Sequence, residues 1–265
     1  MTAPWVLRGL RNGVVTSRWP RRPDEYFDTF RASIRVSESS YALSPEEALR
    51  LCPAEAVDAS AGTVQVDRGR CVLCGHCVIA RPDVFSWQGG AGTAALSRAQ
   101  LVVPALADTD QAVEGVRREL ADRVRRLRRS VHIRHVDAGS DGSDEWEVQA
   151  LLNPVYDIHR LGIFFTASPR HADILLVTGI GTAGMVAPLL RTREAMPDPV
   201  VVIAAGSDAV SGSLLGPGYT AGRGVNAVLP VDVWVPGAPA SPFSLMHGIL
   251  LALGRIPGPG RDGER

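Results

Sequence analysis

The segment Cys71-Val-Leu-Cys74-Gly-His-Cys77 sets three thiols at two-residue spacings in one short stretch, and a fourth thiol, Cys52, stands upstream followed by Pro53. Thiolates at such a spacing are ligands for soft metals. An iron–sulfur cube needs four of them at its corners: a tight loop can supply three, and the fourth has to come from elsewhere in the chain. Zinc could use the same thiols, with His76 as a spare ligand. Zinc sites, however, favour two C-x2-C pairs or Cys/His pairs set apart, so the spacing favours one [4Fe–4S] cluster on Cys52, Cys71, Cys74 and Cys77. All four cysteines fall within 26 positions. That crowding suits a metal site in a reducing compartment better than a disulfide framework, and the cytoplasm is the expected location.

The arrangement resembles the bacterial two-cluster ferredoxins, whose run is C-x2-C-x2-C-x3-C-P and whose fourth Cys ligates the other cluster. Mapped backward from Cys52-Pro53, the first run has Ala42, Pro45 and Ala48 at its other ligand positions. Mapped forward from Cys77, the second ends at Arg81-Pro82. The resemblance implies that the first cluster has lost its ligands, while the second keeps a complete set with Cys52 crossing over.

The elements that must hold these thiols come from composition and periodicity. Residues 1–40 are Arg-rich with scattered aromatics and no sustained period, and read as a basic arm lying on a partner or on the protein itself. Residues 41–100 form a small ferredoxin-like α+β module, with turns at Ala61-Gly62 and Gly89-Gly90 and a core thin enough to need a metal. Residues 101–130 read as an Arg-rich helical linker. Within it, Val113, Val116, Leu120, Val124 and Leu127 recur at three- and four-residue steps over Asp108–Ser130, and the arginines (Arg126, Arg128 and Arg129 among them) lie on the other faces. Residues 131–256 alternate strands and helices. Strands are expected at Val131–Val136, Asp173–Thr178, Val200–Ala205 and Val231–Val235. Helices are expected at Glu145–Leu152, Met185–Met196 and from Ser241-Pro242 to about Leu253. Near-continuous Val/Ile/Leu runs between helices predict a parallel sheet covered on both faces, with its functional loops beyond the carboxyl ends of the strands. The Pro/Gly-rich tail 257–265 is expected to be disordered.

Four strings in this second half carry a closer resemblance: Leu152-Asn-Pro-Val-Tyr-Asp-Ile-His-Arg-Leu-Gly162, Ser168-Pro-Arg-His-Ala-Asp-Ile-Leu-Leu-Val-Thr-Gly179, Ala195-Met-Pro-Asp-Pro199 and Pro230-Val-Asp-Val-Trp-Val-Pro-Gly237. They resemble the 20 kDa (B-type) subunit of NADH–quinone oxidoreductase and the related small subunit of energy-converting [NiFe] hydrogenases and formate hydrogenlyases. A neighbouring ferredoxin module fits the hydrogenase-like branch better. The resemblance implies a flavodoxin-like α/β domain, a place in a complex with a large subunit and membrane subunits, and a peripheral position on the inner face of the cell membrane. It also implies a second [4Fe–4S] cluster on a Gly-Ser-Cys-x-x-Cys loop, a Gly-x-Cys-Ala turn and a Pro-Gly-Cys-Pro turn. Those ligand positions read Asp141, Asp144, Asp208 and Ala238 here. Carboxylates are hard donors better suited to magnesium or calcium, so the second cluster is expected to be absent. The three aspartates are expected to be solvated polar fillers at a subunit interface, with a bound divalent cation as the alternative.

Other features exclude functions. The formal net charge is zero, which gives no footprint for nucleic acid. No apolar run reaches the roughly 20 residues needed to cross a bilayer, and the basic N-terminus lacks the apolar stretch of a secretory signal. Gly179-Ile-Gly181-Thr-Ala-Gly184 is a literal dinucleotide fingerprint after a strand, but Asp198 sits before the next strand rather than at its end, so it is read as a structural turn. His132 and His135 are three apart in a strand and face opposite ways. Arg170 and His171 match a family segment near the cluster. No nucleophile–base set can be argued from spacing, so no complete active site is expected. The expected function is an electron-transfer subunit of a complex I-like or hydrogenase-like assembly. The competing reading is a docking subunit with no through-relay of electrons.

Overall fold

A computed structural model describes residues 4–37, 43–60, 62–104, 110–125, 127 and 130–256. Ala42, Ala61, Arg126, Arg128, Arg129 and the tail 257–265 lie outside the described residues.

The first part of the chain runs α1 (Trp5–Asn12), α2 (Glu25–Thr29), β1 (Arg31–Val36), α3 (Pro45–Leu51), β2 (Val57–Asp58), β3 (Gln65–Asp67), α4 (His76–Ala80), β4 (Phe85–Gly89) and β5 (Val102–Val103). The expected basic arm therefore contains secondary structure. Its strand β1 pairs antiparallel with β4, Ile34 opposite Trp87, while β2, β3 and β5 form a three-stranded antiparallel sheet. Ile34, Val57, Val66, Val84 and Phe85 bury a small core that also takes in Cys77. Helix α3 starts at a capping box: Ser44 Oγ accepts from the Glu47 N–H, and Glu47 accepts from the Ser44 N–H. Two of the expected lost-ligand positions are used here for helix formation. Pro45 opens the helix, where its fixed φ and missing N–H cost nothing, and Ala48 is buried beneath it.

The second part follows as α5 (Asp110–Val124), β6 (Val131–Asp137), α6 (Ser143–Ala150), β7 (Ile163–Phe165), β8 (Ile174–Thr178), α7 (Ala183–Glu194), β9 (Val201–Ala205), α8 (Gly206–Ser211), β10 (Val233–Val235) and α9 (Pro242–Ala252). Five parallel strands lie in the order β10-β9-β8-β6-β7, which is the flavodoxin-like order 2-1-3-4-5 read from the β7 edge. Alternation along the strands sends Ile133, Ile174, Leu176, Val201 and Ile203 to one face and Leu175, Val177, Val202 and Ala204 to the other. Both faces are covered, the condition for all-parallel sheets. Leu120 and Val124 of α5 are buried in the first of these layers, and the Arg123 guanidinium donates to Asp232 at 2.6 Å. The linker helix is thus part of the fold. The start of α6 lies two residues earlier than the sequence predicts, which brings Asp144 into its first turn.

Two strand-like hydrogen bonds join the two parts: Ala95 N to Trp234 O at 2.9 Å and Trp234 N to Ala95 O at 2.8 Å. They cover the β10 edge of the sheet, an edge that would otherwise present unpaired backbone. Ser211 Oγ adds a bond to the Gly69 carbonyl at 2.9 Å.

Candidate functional site

The α3 helix ends at Cys52, whose N–H donates to the Ala48 carbonyl. The loop after β3 carries Cys71 and Cys74, and Cys77 lies in the first turn of α4. These elements place all four thiols on the wall of one cavity of about 340 Å³, part of it open to solvent, together with Ile34, Leu51, Val57 and Val66. Cys77 is buried, Cys52 and Cys71 are half-buried and Cys74 is exposed. The Ala56 N–H points at Cys52 Sγ from 3.2 Å, a donor that stabilises developing thiolate charge. Trp87 lies over Gly75 and takes the Arg31 guanidinium on its ring at 4.7 Å. Burial, reinforced by the neighbouring thiols, pushes Cys71 up to about 12; burial and then Cys52 push Cys77 up to about 11. Thiols this close resist losing protons together unless cations join them. The set fits an iron–sulfur cube in donor type, number and enclosure: four soft donors around one cavity, a backbone N–H on one sulfur and an apolar wall. Among the described residues, no three His, Cys, Asp or Glu side chains are grouped as they would be around a metal ion.

The second constellation sits beyond the carboxyl ends of β6, β9 and β10. Asp141 is exposed and bonds its own turn, accepting from the Ser143 N–H at 2.9 Å and the Ser143 hydroxyl at 2.6 Å, contacts that hold its carboxyl below the usual range. Asp144 departs from the expected solvated filler. It is 3% exposed, accepts from the Ala240 N–H at 2.9 Å, and is pushed up to about 8 by burial, with Asp208 and Glu145 adding to the rise. A Cβ on Gly206 would stand 1.9 Å from an Asp144 oxygen, and Gly206 has φ +88°, so only glycine leaves room for this carboxyl at the turn. Asp208 is raised by burial and opposed by a hydrogen bond from Ser213. Ala238 is exposed and supplies no donor atom. Sequence reasoning missed the polar chain behind these positions: His135 Nε2 lies 2.9 Å from Thr178 Oγ1, that hydroxyl donates to Glu145, and Ser140 Oγ donates to the other Glu145 oxygen at 2.6 Å. No spacing rule links residues on three separate elements.

Two sequence features resolve differently. Arg170 and His171 lie on an exposed turn ahead of β8. They are therefore at the amino edge of the sheet, opposite the aspartates, because a residue preceding a parallel strand and one following its neighbour lie at opposite ends. In the fingerprint-like loop, Gly179 meets the Gly139 backbone so closely that a Cβ would stand 2.7 Å from it. That glycine serves loop packing.

Residues 142–252 match the family described as NADH ubiquinone oxidoreductase, 20 Kd subunit. The chain is 35% identical over 154 residues to formate hydrogenlyase subunit 7 of Escherichia coli (strain K12), covering 58% of this chain and 59% of that one. It is 40% identical over 128 residues to the probable membrane-bound hydrogenase subunit mbhJ of Pyrococcus furiosus, covering 48% of this chain and 77% of that one. The chain belongs to the 20 Kd subunit family. A solved chain of the membrane-bound sulfane sulfur reductase, an archaeal respiratory membrane complex, aligns with 30% identity and a TM-score of 0.43 over 51% of this chain and 77% of its own. The chain spans less than two thirds of the formate hydrogenlyase subunit, and the matched family region begins after Cys77, so the thiol module lies outside it. The family region includes Asp144, Asp208 and Ala238, with Asp141 one residue ahead of it.

Proposed function

We propose that this chain is an iron–sulfur electron-transfer subunit of a complex I-like or energy-converting-hydrogenase-like assembly. One [4Fe–4S] cluster sits on Cys52, Cys71, Cys74 and Cys77, and the second-domain cluster has been lost. The observation that carries the reading is the sorting of donors: four thiols around one cavity, against three carboxylates and a methyl group at the family's other site. A bound cube supplies one-electron chemistry at a potential set by hydrogen bonds to sulfur and by burial. In this chain the Ala56 N–H and the apolar wall set those two quantities. Cys71 also lines a small cavity with Pro236 and Gly237, directly before Ala238, so the thiol module backs onto the loop where the second cluster would be held. A large subunit docked on that face would have an electron carrier within reach without the second cluster. The relatives' own names, a formate hydrogenlyase subunit and a probable membrane-bound hydrogenase subunit, support a place in a complex at the membrane through partner subunits.

The test is a pair of variant sets in anaerobically purified protein. Cys52→Ser and Cys77→Ser are expected to abolish the reduced-cluster EPR signal, while Asp141→Ala with Asp208→Ala leaves it unchanged. A signal that survives the cysteine changes would overturn the assignment. The docking-only reading draws on one observation, the thiol-free second domain. It predicts that electron transfer by the whole complex survives Cys74→Ser.

A further inference from the structure

Among the described residues, helix α1 stands out from the body of the protein. Helix α1 buries none of its residues. Trp5 is 83% exposed, Leu10 75% and Leu7 56%. At 100° per residue Val6, Leu7 and Leu10 share one side of the helix, Arg8 and Arg11 stand together about 120° round from it, and Trp5 projects from the far side next to Arg8. Among the described residues, the segment is held downstream of the helix: Thr16 Oγ1 donates to the Pro154 carbonyl at 2.7 Å, the Ser17 N–H to the Val155 carbonyl at 2.7 Å, and Arg160 donates to the Trp19 carbonyl. Across residues 4–23 the charges are Arg8, Arg11, Arg18, Arg21 and Arg22, with no Asp or Glu, in a chain whose formal net charge is zero.

We infer that residues 4–23 form a membrane-surface anchor that binds anionic lipid headgroups directly, independently of any partner subunit and of the cluster. A helix with an apolar side of Val and Leu, and with Arg and Trp on its remaining faces, lies in the bilayer interface, its apolar side at the headgroup–acyl boundary and its guanidinium groups at the phosphates. A single-signed charge spread over the whole segment matches a continuous anionic surface. A protein groove would need acids at fixed places. The downstream hydrogen bonds pin the arm to the second domain, so lipid binding would also hold the body of the protein at the bilayer. Each arginine near the surface contributes about five-fold in partition.

The test is co-sedimentation of the full-length, anaerobically purified chain with phosphatidylcholine–phosphatidylglycerol vesicles and with phosphatidylcholine vesicles. The expected result is at least about ten-fold stronger binding to the anionic vesicles, weakening as salt rises. The Leu7→Glu/Leu10→Glu variant is expected to lose about ten-fold or more, and Arg8→Gln/Arg11→Gln about five-fold per charge removed. These side chains are exposed, and unchanged circular dichroism and cluster absorption would show that the variants fold. Equal binding to both vesicle types, or variants that bind like the parent, would overturn the proposal. So would a parent that ignores vesicles while the variants lose a co-purifying protein, since the helix would then be a protein contact.

Discussion

At pH 7 the Asp144 carboxyl, enclosed above Gly206 and bonded to the Ala240 N–H, keeps a proton that an unfolded chain has already lost, because burial raises it from 3.8 to about 8. The folded state therefore binds more protons across that window, and its stability falls as pH rises from about 4 towards 8. Asp144→Asn keeps an acceptor for Ala240 and removes the titration. Urea midpoints are expected to show the variant gaining on the parent between pH 5 and pH 8, and a gap that does not widen with pH would refute the burial argument. His247 has the opposite sign. Burial lowers it from 6.5 to about 4, and its Nδ1 has no hydrogen-bond partner among the described residues. The unfolded state takes up the proton first as pH falls, so stability is lost between about 6.5 and 4. His247→Leu is expected to flatten this acid limb in the same urea series.

Among the elements, the Gly206 turn is the tightest constraint at the candidate site. Gly206→Ala places a methyl against the Asp144 carboxyl at a φ that disfavours it, with an expected cost of roughly 2–4 kcal/mol from crowding and backbone strain. Because the obstacle is one side chain, the Asp144→Ala/Gly206→Ala pair is expected to cost clearly less than the sum of the single changes. Denaturant midpoints of the four proteins decide it. Strands β8, β9 and β10 were legible because their apolar runs are buried on both faces, and β6 because Val131 and Ile133 alternate with His132 and Arg134. β7 was not legible: it has three residues, and one of them, Phe164, is exposed. Gly206–Ser211 looks like a loop by composition and becomes helix α8 because its backbone continues from β9 into a packed turn. The short alternation Ala32-Ser-Ile-Arg-Val36 gains its strand identity only by pairing with β4. At the site, the gathering of the four thiols on one cavity was legible from their residue type and spacing. The burial of Asp144 was not, since it depends on the loop after β10, nearly a hundred residues away.

As a whole molecule, the chain joins a thiol-bearing module to a family domain by backbone pairing at the sheet edge, Ala95 to Trp234, and sets Cys71 against the Pro236-Gly237 loop. That juxtaposition gives the electron-carrier reading its physical sense, because whatever docks on the carboxyl edge of the sheet also docks beside the thiols. The proposal then turns on which half of the molecule holds iron. Iron, zinc and acid-labile sulfide per chain in anaerobically purified protein, with EPR after dithionite reduction, measure that directly. The account predicts about four irons, about four sulfides and one reducible [4Fe–4S] signal. About eight irons would contradict the lost second cluster, and an iron-free protein or zinc at the thiols would contradict the electron carrier itself.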